Sequence, residues 1–141
     1  MTQLLPLLLI GVTTAVASYL VRTRQTQTLA TISDDEFGKS YQRRFADSTE
    51  LVLKMRTFVA KHLALPPEKL APDQTFKDLA KYTGFAGEYE VGLGDLEFEL
   101  IEAFERAGLD PPKPFPNTVA EFIHEILRAN AKRPSNDSST S

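Results

Sequence analysis

Asp95-Leu96-Glu97-Phe98-Glu99-Leu100-Ile101-Glu102-Ala103-Phe104-Glu105-Arg106-Ala107-Gly108 is the stretch whose spacing decides the fold class. Leu96, Leu100, Ile101, Phe104 and Ala107 recur three and four residues apart, the period that lines up one face of an α-helix. Asp95 is a good N-cap, because its carboxylate can accept from the free amides of a first turn. Gly108 stands where a left-handed residue closes a helix. Gly92 and Gly94 just before it read as the brackets of a bend, and Val91-Gly92-Leu93 is too short and too rich in glycine for a strand.

The same period recurs on both sides. Ser33-Asp34-Asp35-Glu36 has the form of a capping box, and Phe37, Tyr41 and Phe45 follow at a spacing of four, which gives a short amphipathic helix. Asp47 and Glu50 repeat the cap signal. Leu51, Met55, Phe58, Val59, His62 and Leu63 form the next stripe, which Pro66-Pro67 ends. Phe76 and Leu79 make a single apolar turn that can plug a core. Thr83-Gly84-Phe85-Ala86-Gly87 reads as a loop. Pro111, Pro112, Pro114 and Pro116 make a stiff connection to a last helix capped by Asn117, with Thr118 and Glu121 as a second candidate box. Val119, Phe122, Ile123, Ile126 and Leu127 are its buried face. No segment alternates with period two for long, and no internal repeat is present, so the expected fold is all-α.

The N-terminus follows different chemistry. Leu4 to Val21 is an 18-residue run without a charge, interrupted only by Pro6, Gly11, Thr13, Thr14 and Ser18. At helical rise it reaches roughly 27 Å, about the thickness of a bilayer core. No Lys or Arg precedes it, and Arg22 and Arg24 follow at once, which puts the C-terminal side in the cytoplasm. The alternative is a secretory signal cleaved after Ala15-Val16-Ala17, with export of the rest, although a charged leader is missing. The expected organisation is a transmembrane anchor over 1–22, a spacer and short amphipathic helix over 23–46, a helical domain over 47–130 and a polar, disordered tail over 131–141.

Composition narrows the function. The chain has 141 residues, a net charge of −3 and no cysteine, which excludes disulfides and thiolate chemistry and argues against a nucleic-acid binder. Charge is uneven: residues 51–85 hold six Lys/Arg against three Asp/Glu, and residues 86–110 hold eight acids against Arg106 alone. His62 and His124 lack ligand spacing and read as structural, so no metal site is expected. Asp73, Asp78, Glu88 and Glu90 lack the order of a calcium loop. Gly84, Gly87, Gly92 and Gly94 are not followed by the Gly-Lys-Ser/Thr of a phosphate loop. Phe37, Tyr41, Phe45, Phe58, Phe76, Phe98, Phe104 and Phe122 are mostly at helical spacing and are expected in the core, while Phe85, Tyr89 or Phe115 could be an exposed loop contact. Asp95, Glu97, Glu99, Glu102 and Glu105 are spread around one helix rather than focused as a catalytic pair, and no enzyme activity is expected.

Three stretches carry a resemblance. Phe58-Val59-Ala60-Lys61-His62-Leu63 is followed by Pro67-Glu68-Lys69-Leu70-Ala71-Pro72-Asp73-Gln74-Thr75-Phe76-Lys77-Asp78-Leu79. Then come Gly92-Leu93-Gly94-Asp95-Leu96-Glu97-Phe98-Glu99-Leu100-Ile101-Glu102-Ala103-Phe104-Glu105 and Thr118-Val119-Ala120-Glu121-Phe122-Ile123. In this order, over roughly Glu50 to Leu127, the chain resembles the acyl and peptidyl carrier proteins. The resemblance implies a bundle of three longer helices and one short helix, here preceded by the short amphipathic helix and the membrane helix. It also implies that Asp95, Glu97, Glu99, Glu102 and Glu105 dock a basic protein partner, as the family's second helix does. Carriers have Asp-Ser-Leu, whose serine holds phosphopantetheine, where this chain has Gly94-Asp95-Leu96, and no serine lies between Thr49 and Arg133. The expectation is therefore a membrane-tethered, carrier-like interaction module without a cofactor. A genuine carrier with an atypical site and an accessory subunit of a membrane complex are the rivals.

Overall fold

The computed structural model describes residues 29–81 and 88–132, and within them it is all-helical. The helices are α1 (Asp34–Gln42), α2 (Thr49–Leu63), α3 (Phe76–Leu79), α4 (Glu88–Arg106) and α5 (Val119–Ala131), with a 3₁₀ turn at Pro67–Lys69 between α2 and α3. No strand is present among the described residues; one isolated bridge pairs Thr75 with Thr118.

The core forms where the stripes meet. Val52, Val59, Ala60 and Leu63 of α2, Leu96, Leu100 and Phe104 of α4, and Val119, Phe122, Ile123, Ile126 and Leu127 of α5 are buried in one cluster. The Phe76–Leu79 turn does plug it: both residues are buried, and the Phe76 ring lies 5.6 Å from Phe115 and 6.0 Å from Phe122. Backbone bonds from Phe76 N to Asn117 O (3.0 Å) and Val119 N to Gln74 O (3.0 Å) stitch this turn to the start of α5.

Several local expectations change. Helix α4 begins at Glu88, so Asp95 is an interior residue and not its cap, Gly92 and Gly94 lie within the helix rather than at a bend, and Tyr89 is helical. Glycine costs a helix roughly 1 kcal/mol relative to alanine, but packing requires it at position 92. A Cβ there would stand 2.0 Å from the His62 carbonyl oxygen, so only glycine lets α4 cross α2 this closely. Asp47 caps nothing: Ser48 is the N-cap of α2, without a side-chain bond, and the Asp47 carboxylate is taken by Tyr41 and His124. Ala64, in left-handed conformation, ends α2 before the prolines. Thr118, not Asn117, caps α5 and forms the full box with Glu121. Phe115 is half-buried against Phe76 and Phe122, not an exposed loop contact.

The chain preceding α1 is docked rather than free. Leu29 is buried, Ile32 N donates to Glu68 O (2.8 Å), and Lys69 Nζ donates to Leu29 O (3.0 Å) and Thr31 Oγ1 (2.9 Å). Arg56, only 1% exposed, completes the clamp. Its guanidinium donates to Asp34 Oδ1 (2.8 Å), Ile32 O (2.7 Å) and Leu70 O (3.0 Å) and lies 4.5 Å above the Phe37 ring. Burial pushes the Arg56 pKa down, and the bond and charge of Asp34 oppose that push. Among the described residues no helix is long and apolar enough to cross a membrane; Leu4 to Val21, Phe85 and the tail from Arg133 lie outside them.

Candidate functional site

Helix α4 divides cleanly by spacing. Gly92, Leu96, Leu100, Ala103 and Phe104 face the core. Gly94, Asp95, Phe98, Glu102 and Glu105 recur three and four residues apart on the opposite side and therefore share one outward face. Asp95, Glu97 and Glu105 are exposed, and Glu99 and Glu102 are half-buried. Helical spacing thus gathers Asp95, Glu102 and Glu105 together, while Glu97 and Glu99 sit on opposite flanks of that face. The helix holds a single basic residue, Arg106, and Glu102 binds it one turn away. The remaining carboxylates of this face have no cation from the described residues.

Phe98 overturns the expectation of a core aromatic. It is 64% exposed and stands in the middle of the acidic face. Phe98 lies two positions from each of the core leucines Leu96 and Leu100, and on a helix such a residue points away from both. Phe98 and Leu51 (48% exposed, on α2) are the large apolar side chains left open among the described residues. Beside Phe98, one turn earlier, Gly94 has nothing within 4 Å of where a Cβ would be, so the surface is open there.

Gly94 and Asp95, the positions that the carrier resemblance would set against the attachment serine, offer no place for phosphopantetheine. Gly94 has no side chain, Asp95 offers a carboxylate where a phosphodiester needs a hydroxyl, and both lie inside α4 rather than at its N-terminus.

Two groupings were not visible in the sequence. The Tyr41 hydroxyl donates to Asp47 Oδ2 (2.5 Å), which also lies 2.9 Å from His124 Nδ1, 77 residues along the chain. His124 stacks on Phe45 with ring centroids 4.1 Å apart. Burial raises the Tyr41 pKa strongly, and the bond to Asp47 and its negative charge add to this. His124 thus joins α5 to the turn after α1, and His62 packs edge-on against Phe58 at 4.5 Å. The second grouping is a shallow cavity of about 340 Å³ between α1 and the loop after the 3₁₀ turn, with Glu36, Lys39, Arg43 and Asp73 on its rim. It contains none of the candidate docking residues Asp95, Glu97, Glu99, Glu102 and Glu105, and Lys39 is already paired with Asp35 at 2.9 Å. Among the described residues no group of three or more His, Cys, Asp or Glu could hold a metal ion.

No family model, curated protein or solved structure matches the chain.

Proposed function

We propose that the protein is a membrane-tethered, carrier-like helical module that works by docking a basic protein partner on α4, without phosphopantetheine and without catalysis of its own. The observation that carries this is the outward face of α4: Asp95, Glu102 and Glu105 together, with the helix's one cation, Arg106, held by Glu102. Such a face attracts a basic partner through its charge pattern, which speeds association and weakens with salt.

The order of elements supports the carrier-like part of the reading. A long helix (Thr49–Leu63) is followed by a loop with one buried apolar turn (Phe76–Leu79), an acidic helix, a proline-rich link and a last helix (Val119–Ala131). The absence of any serine between Thr49 and Arg133 supports the loss of the prosthetic group. Incubation with a phosphopantetheinyl transferase and coenzyme A, followed by intact mass, tests it. An unmodified mass is the expected result, and a gain equal to phosphopantetheine returns the protein to the working carriers.

In the same reading, Leu4 to Val21 anchors the chain with the domain in the cytoplasm. Leu29 is pinned to the domain by Lys69, so seven residues, Arg22 to Thr28, separate the anchor from the fold. They span at most about 25 Å, which keeps the docked Leu29 end of the domain near the lipid surface. Mass spectrometry of the protein from membranes should find residues 1–17 retained; a chain starting at Ser18 makes the segment a cleaved signal.

A further inference from the structure

We propose that Phe98 is the anchor of the α4 face, and that its occupant is a basic amphipathic helix which buries the Phe98 ring under its own apolar stripe. This rests on the docking reading and adds to it the kind of partner. Charge alone asks only for a cation-rich surface, and α4 would serve that purpose with a polar residue at position 98. A ring left 64% exposed asks for an apolar counterpart, because covering it removes apolar area from water. The surroundings set the rest. Asp95, Glu102 and Glu105 lie within one or two turns of Phe98, so an apolar surface that reaches the ring must bring cations to both sides of it. A helix with Lys or Arg flanking a stripe of Leu or Ile has that arrangement at the matching spacing, and helix-on-helix packing by i, i+3 and i+4 anchors is an established recognition mode. Gly94, one turn before Phe98, leaves the open space that a close helix crossing needs. Aromatic anchors ringed by polar contacts are also where binding energy concentrates in protein interfaces.

The test uses the full chain in phosphatidylcholine nanodiscs, with empty nanodiscs as the reference. Two synthetic fourteen-residue helical peptides of equal lysine content are titrated at physiological salt. One carries a leucine stripe, and in the other serine replaces each leucine. The leucine peptide should bind the wild-type protein about tenfold more tightly than the serine peptide. Phe98→Ser should remove that difference while leaving the serine peptide unaffected, and Phe98→Leu should keep most of it. The double reversal Glu102→Lys and Glu105→Lys should weaken both peptides. Equal binding of the two peptides, unchanged by Phe98→Ser, overturns the anchor and leaves charge-driven docking in place. Binding of neither peptide, or binding untouched by the double reversal, overturns the docking reading and the anchor with it.

Discussion

Gly92 and Gly94 are two residues apart in one helix, and alanine should have opposite effects at the two positions. At Gly92 the new methyl would lie 2.0 Å from the His62 oxygen and 2.9 Å from its carbonyl carbon, whereas ordinary contact begins at 3.4 Å. The obstacle is backbone, so α2 and α4 must separate by more than an ångström, and the packing of Leu63 and Leu96 separates with them. Overpacking of this kind costs about 1–3 kcal/mol, and a clash with backbone belongs at the upper end. The helix propensity gained, about 1 kcal/mol, offsets part of it, which leaves a net loss of about 2 kcal/mol. At Gly94 a Cβ meets nothing within 4 Å, so only the propensity gain of about 1 kcal/mol remains. For a domain of this size each kcal/mol moves the midpoint by about 4–8 °C. Thermal melts followed by circular dichroism on the full chain in detergent should therefore show Gly92→Ala falling by roughly 10 °C and Gly94→Ala rising by roughly 5 °C. A fall at Gly94 would mean a bend there instead of a helix, and an unchanged midpoint at Gly92 would refute the close crossing of α2 and α4.

Three further perturbations address the core and the polar network. Phe104→Ala should cost about 3–5 kcal/mol in a chemical-denaturation curve, because its ring is fully buried with Ile123 in one cluster and Arg128 covers it at 5.2 Å. Arg56→Met should cost about 2 kcal/mol or more, since it strands the carbonyls of Ile32 and Leu70, and amide exchange should quicken selectively around Ile32. The Tyr41 phenol, raised in the folded state, favours the fold below the ordinary tyrosine range and loses that contribution as pH climbs above about 10. Stability measured against pH should thus fall more steeply on the alkaline side in the wild type than in Tyr41→Phe.

The sequence reveals most where one helix stripe decides the outcome. Val119, Phe122, Ile123, Ile126 and Leu127 are buried as their spacing requires, and the Phe76–Leu79 turn plugs the core. Reading fails where a distant contact outweighs a local preference. The glycines at 92 and 94 mark a bend by propensity, yet the backbone of His62, thirty residues earlier, makes Gly92 the pivot of a helix crossing. Asp47 looks like a cap until Tyr41 and His124 claim its carboxylate. The polar run before α1 looks like a spacer, and its tether is a buried arginine on α2 that no local pattern announces. Of the candidate site, the acids are plain in the sequence, and so is the outward direction of Phe98, which stands off the stripe of Leu96, Leu100 and Phe104; only its aromatic character, taken without its phase, places it in the core.

The most direct measurement compares what the whole chain retains when purified in detergent from the cells that make it, in two forms: wild type, and the triple reversal of Asp95, Glu102 and Glu105 to lysine. The expected result is a defined basic partner that co-purifies with the wild type, releases as salt is raised, and disappears from the triple reversal while helical circular dichroism is unchanged. A partner kept in full by the reversed protein would contradict docking through α4.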